Sequence, residues 1–210
     1  MLRDADLSLA AWLAGVLPAG TGVRFDAPGA AWDSTGPADG PCISAFLCEV
    51  RRDGRDAAPA GWSQVRDGAG RLVGRQLPTR HYRLRYAVTA WAGAADDPSQ
   101  RALAEHGLLG LLIDACAAAD TLGDEQLTGA LAAAGLPVQV RCAGDEPGGP
   151  TAQSLWAGFG IAPRAVLLLE LAVPVVPPLV TDLAAPVREI VLGGHLLPGG
   201  AGPRGTVTEH

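Results

Sequence analysis

Hydrophobic and polar positions along the chain change period several times, and each change predicts an element. Between Asp4 and Leu17 the apolar residues Leu9, Trp12, Leu13, Val16 and Leu17 fall on one helical face, and Pro18 ends the pattern. Val23-Arg24-Phe25 is a short strand candidate inside a Gly-, Ala-, Pro- and Asp-rich connection from Gly20 to Pro41. Cys42 to Val50 has the length and composition of a strand and leads into a charged turn, Arg51 to Arg55. Trp62 to Arg66 and Arg71 to Gln76 flank Asp67-Gly68-Ala69-Gly70, whose glycines permit the positive φ of a tight turn, so a hairpin with exposed, arginine-bearing strands is expected. Tyr82 to Trp91 alternates cleanly, with Tyr82, Leu84, Tyr86 and Val88 on one face and Arg83, Arg85, Thr89 and Trp91 on the other.

Asp96-Asp97-Pro98-Ser99 has the acidic residues and proline of a helix start. The helix that follows, to Ala119, becomes apolar nearly all round, which predicts that its second half is buried against the sheet. A helix from Asp124 to Ala134, a strand from Val138 to Cys142, a flexible linker from Gly144 to Pro150 and a helix from Thr151 through Phe159 come next. Ala165 to Val173 reads as a second strong strand, and Val187 to Leu192 as a last short one beyond a proline cluster. The expected architecture is a single α/β (α+β) domain over residues 1–180, a mixed β-sheet with a β-hairpin, flanked by helices. Residues 181–192 are expected to form a C-terminal strand or arm, and the Gly/Pro-rich residues 193–210 a disordered tail.

Composition narrows what this domain does. With 48% hydrophobic residues in 210 the chain can bury a sizeable core. Its net charge is −6, its 16 basic residues are all arginine, and no basic run interrupts the balance, so nucleic acid is not an expected partner. Two apolar stretches fall short of a membrane span: one around Asp114, the other carrying Glu170 and broken by Pro174, Pro177 and Pro178. No secretory leader is read in the acidic first residues. Cys42, Cys48, Cys116 and Cys142 form no metal-ligand spacing and are read as reduced core residues.

Candidate chemistry is sparse. Without lysine there is no Walker phosphate loop, and H-E-x-x-H and G-x-S-x-G are absent. The four histidines are scattered, so no metal, cofactor or catalytic residues are assigned. Glu49 and Asp53 are read as members of a solvated ion cluster beside Arg51 and Arg52 in preference to an acid–base pair. Trp12, Trp91 and Trp156 continue apolar faces and are expected in the core, whereas Trp32 and Trp62 stand in polar surroundings and are candidate interface anchors. For Arg83 and Arg85 two readings stay open, a solvated sheet face or a contact between subunits.

Several of these segments, in this order, carry a resemblance. The helix with Asp6, Leu9, Leu13 and Leu17-Pro18 precedes the strand Ile43 to Val50, the Trp62 to Gln76 hairpin, and then Pro78 to Ala92. The most specific part is Tyr82-x-Leu84-x-Tyr86-x-Val88-Thr89-Ala90-Trp91, followed by Glu105-His106-x-Leu108-Leu109-Gly110. Over roughly Leu2 to Leu192 the chain resembles the N-terminal domain of cap, or tail-terminator, proteins of phage-tail-like extracellular contractile injection systems. The resemblance implies a tail-terminator-like fold, a homohexameric ring that ends and couples the inner tube and sheath, no enzymatic activity, and assembly in the cytoplasm without membrane insertion. Its partners would be copies of itself and the tube and sheath proteins. Val187, Ile190 and Leu192, in the detached last strand, are then candidates to pair with a neighbour's sheet, beside Trp32, Trp62, Arg83 and Arg85. Two other readings are a small-ligand-binding α/β enzyme, which would need a deep pocket with convergent polar groups, and a phage tail-completion protein.

Overall fold

The alternating stretch around Tyr86 builds the centre of the molecule. In the computed structural model, which describes residues 1–29, 32, 40–54, 61–93, 97–143, 156–158 and 160–181, this stretch is strand β5, Arg80–Trp91. It is flanked antiparallel by β2 (Cys42–Arg52) and by β7 (Leu167–Val175). The short β1 (Gly22–Arg24) adds parallel to β2, and β6 (Gln139–Cys142) adds antiparallel to β7. The result is a mixed five-stranded sheet in the order β1-β2-β5-β7-β6, with a separate hairpin of β3 (Ser63–Arg66) and β4 (Leu72–Gln76). Gly70, with φ of 80°, supplies the left-handed turn residue that this hairpin requires.

Helices cover one face of the sheet. Leu84, Tyr86 and Val88 of β5 join Ile43 and Ala45 of β2 and Leu169, Leu171 and Val173 of β7 in one apolar layer. Against it pack Leu9, Trp12 and Leu13 of α1 (Leu2–Val16), Leu109 and Leu112 of α2 (Pro98–Ala118) and Leu131 of α3 (Gly129–Ala134). At about 2 kcal/mol for each fully buried large apolar side chain, this layer supplies the main driving force for folding. Polar contacts fix how α1 meets α3: Asp4 Oδ2 accepts from the Ala130 backbone at 3.1 Å, and Ser8 Oγ from the Thr128 backbone at 3.0 Å. Trp12, Trp91 and Trp156 are buried, as their apolar neighbours predict.

Four expectations need correction. β2 continues through Arg51 and Arg52, because both pair with β5 in place of turning away from it. The expected helix from Asp124 to Ala134 is split into a 3-10 turn, Asp124–Gln126, and α3, with Leu127 and Thr128 extended between them. α2 does not bury its second half all round. Leu109 and Leu112 face the core, whereas Leu103, Leu111 and Ile113 stand exposed, so the apolar outer surface faces outward and not into the sheet. Of the cysteines only Cys42 is buried; Cys48, Cys116 and Cys142 are half-buried, and all four are free thiols. Apart from Thr181, the expected arm 181–192 and tail 193–210 lie outside the described residues, as does most of the helix expected from Thr151.

Candidate functional site

The second face of the sheet carries charge where the first carries hydrocarbon. Because the side-chain period of a strand is two, Arg83 and Arg85 point away from Leu84 and Tyr86, onto the face opposite the helices. The strand register then lines up Glu49, Arg85, Glu170 and Arg141 as one row of alternating sign across β2, β5, β7 and β6. Arg85 Nη1 lies 2.9 Å from Glu49 Oε2 and its Nη2 3.5 Å from Glu170 Oε2. Arg141 reaches Glu170 Oε1 at 2.5 Å, and Arg83 bridges Asp53 at 3.1 Å and Glu170 at 3.5 Å. Arg85 and Glu170 are each only 2% exposed.

This geometry overturns the solvated-face reading of Arg83 and Arg85, and it pairs Asp53 with the largely buried Arg83, whereas Glu49 also keeps a part-exposed ion pair with Arg51 at 3.8 Å. The cause is Glu170, the single acid in the run Leu167-Leu168-Leu169-Glu170-Leu171, which draws both guanidiniums inward. Two arginines at i and i+2 and a lone carboxylate in an apolar strand are signals visible in the sequence, but only the register shows that they meet. Arginine and carboxylate charges match within the row, which ties four strands together and presents no uncommitted nucleophile or base.

At the other end of the same face Arg164 stacks 3.9 Å from the Trp91 ring and pairs with Glu105 of α2 at 2.5 Å. The pair forms one wall of an open groove of about 450 Å³, with Pro98, Arg101, His106 and Pro163 around it. Trp32 is half-buried, edge-on to Trp91 at 5.1 Å, with Arg24 stacked 4.9 Å from its ring. Burial and the neighbouring Cys142 thiol push the Cys116 thiol up to about 12. Among the described residues no group of three His, Cys, Asp or Glu could hold a metal ion, and no helix is long and apolar enough to cross a membrane.

The hairpin is the other exposed feature, and here Trp62 is 48% exposed with the Arg75 guanidinium 4.8 Å over its ring. Residues 176–181, a proline-rich connection by composition, run back along it. Arg75 and Val180 exchange both backbone hydrogen bonds at 2.9 Å, and Gln76 donates to the Pro177 carbonyl at 2.6 Å. Gly74 makes this possible, since a Cβ there would stand 2.8 Å from both the Val180 carbonyl oxygen and Leu179 Cδ1. Val187, Ile190 and Leu192 fall outside the described residues.

Residues 6–189 match the model of a family described as the Pvc16 N-terminal domain. Among solved structures, the chain is similar to an extracellular contractile injection system protein described as the PVC sheath/tube terminator in the extended state. The TM-score is 0.61 at 20% identity, over 96% of this chain and 65% of that one. It is also similar to the anti-feeding prophage cap, described as a tube terminating cap, with a TM-score of 0.53 at 20% identity over 92% of this chain and 61% of that one. The chain thus spans about two thirds of each of those proteins, and the likeness is one of fold. No curated protein matches it.

Proposed function

This chain belongs to the Pvc16 N-terminal domain family, and from that premise we propose that it is a structural cap subunit that terminates the tail of a contractile injection system. The observation that carries the reading is the extent of the match. Residues 6–189 take in the whole sheet, the hairpin and all the helices except the first turn of α1. The similar fold of two terminator proteins supports it. Six copies close into a ring on the last layer of the inner tube and sheath, stop further addition of subunits and couple the two layers. The ring is built in the cytoplasm and works through its surfaces, with no catalytic step, no nucleic acid and no insertion into a membrane.

On this reading Trp62 anchors a neighbouring protein, and residues 187–192, with Val187, Ile190 and Leu192, form a strand that adds to a sheet edge of a neighbour or of the sheath. Arg83 and Arg85 are left out of that surface, because their guanidiniums are held inside the subunit. In cells that make the particle, deleting residues 186–210 yields uncapped tubes of irregular length, while the purified truncated chain keeps its folded circular dichroism spectrum. Normal capping by the truncated chain refutes the role of the arm; normal particles without the chain at all refute the cap.

A further inference from the structure

Two exposed apolar surfaces of this chain complement each other in charge. The first is one face of the hairpin. Alternation puts Arg75 and Leu77 on the same side, the pairing of Arg75 with Gln64 adds Trp62, two residues before Gln64, and the exposed Val73 adjoins them at the bulge where the register shifts. The opposite side is occupied, because Leu179 of the returning segment covers Gly74. Trp62, Val73 and Leu77 remain exposed, and residues 61–77 carry Arg66, Arg71 and Arg75 against the single acid Asp67.

The second surface is the outer face of α2. At 100° per residue Leu103, Gly107, Leu111, Asp114 and Ala118 fall opposite the core-facing Leu109 and Leu112. Leu103 is 60% and Leu111 39% exposed, and between them Gly107 leaves a shallow gap with nothing within 4 Å of where a Cβ would be. No arginine or lysine occurs from Ala102 to Pro137, whereas Asp114, Asp120, Asp124 and Glu125 are all exposed.

We propose that adjacent copies of this chain join through these surfaces, the basic, apolar hairpin face of one copy seated on the acidic, apolar outer face of α2 in the next. The inference rests on the ring reading above and deepens it by naming the lateral contact. The two surfaces belong to elements that leave β5 at its two ends, so the contact is heterologous: each copy offers one of each, and a chain of such contacts closes when the rotation between copies allows. Trp62 fits the role of anchor, with Arg75 already stacked on its ring, and the gap at Gly107 is the place on the partner where a large side chain meets least obstruction.

Mixing two surface variants tests it. Val73→Asp spoils only the hairpin face and Leu111→Asp only the α2 face, and both replace exposed side chains, so circular dichroism is expected to match the wild type. In sedimentation velocity each variant alone loses assembly, with the dissociation constant raised about 30-fold or more, the loss typical of an interface hot spot. An equimolar mixture forms a dimer and stops there, because one intact hairpin can meet one intact α2 face while the other junction opposes two aspartates. Variants that assemble like the wild type, or a mixture that stays monomeric, overturn this contact and leave the ring standing. A wild-type chain that remains monomeric both at high concentration and on purified tubes overturns the ring reading and this contact with it.

Discussion

The phenol of Tyr86 donates a hydrogen bond to Asp6 Oδ1 across 2.8 Å, tying the middle of β5 to the second turn of α1. Burial raises the Asp6 carboxyl, and burial together with the Asp6 charge raises the Tyr86 hydroxyl, so both groups hold their protons more tightly than in the unfolded chain.

Tyr86→Phe therefore removes the donor from a partly buried carboxylate. We expect it to lower unfolding free energy by about 1–3 kcal/mol at neutral pH. Because Asp6 is raised, its favourable contribution is fully present below its ordinary value of 3.8 and fades as pH rises through the folded value. The cost of Tyr86→Phe in urea titrations should then shrink near pH 3, where a neutral carboxyl tolerates the loss better. An equal cost at both pH values would count against a charged Asp6 as the acceptor.

Two thiols raised by burial, Cys42 fully and Cys116 in part, set an alkaline limit. Burial pushes Cys42 from 9.0 up to about 11, and Cys116 is raised to about 12. Both favour the folded state fully below pH 9, and that contribution is lost as pH rises through about 11 to 12. At pH 8 the folded Cys42 should react with iodoacetamide about 100-fold more slowly than in urea, from thiolate population alone. Comparable rates in the two states would show that the thiol is open to solvent.

Gly74→Ala should release the segment 176–181 without unfolding the sheet. The new Cβ meets a backbone oxygen that no rotamer change can move, so the Arg75–Val180 pair must separate. Limited proteolysis should then cut within 176–181 at least about tenfold faster, while the melting temperature of the core moves by only a few degrees. A protected segment in the variant would mean that the hairpin itself gives way to accommodate the methyl group.

Glu170→Gln leaves Arg83, Arg85 and Arg141 without their shared carboxylate in a place where two of the three are nearly out of water. Breaking such a pair on one side costs about 3–5 kcal/mol. Because Arg85 and Glu170 are buried, urea denaturation at low and at high sodium chloride should give nearly the same loss. A loss that disappears in salt would show that the row is in effect a surface feature.

Periodicity alone determined much of this molecule. The alternation of Tyr82, Leu84, Tyr86 and Val88 determined the central strand and its core face, the spacing of Leu9, Trp12 and Leu13 determined α1, and the glycines after Asp67 placed the hairpin turn. These are local signals, set by neighbours a few residues apart, so one sequence is enough to read them. Tertiary structure decided what lies across strands and between faces. Register alone brought Glu170 beside Arg85, 85 residues away, and so made a buried ion pair where the sequence allowed either a solvated face or a contact between subunits. The side of α2 that meets the core was likewise undecided, because an apolar helix of nearly uniform character carries no period to choose it; packing against α1, β5 and β6 made Leu109 and Leu112 internal and left Leu103 and Leu111 outside. The return of residues 176–181 to the hairpin depends on the space above Gly74, a fact of close approach between distant segments that no local pattern encodes.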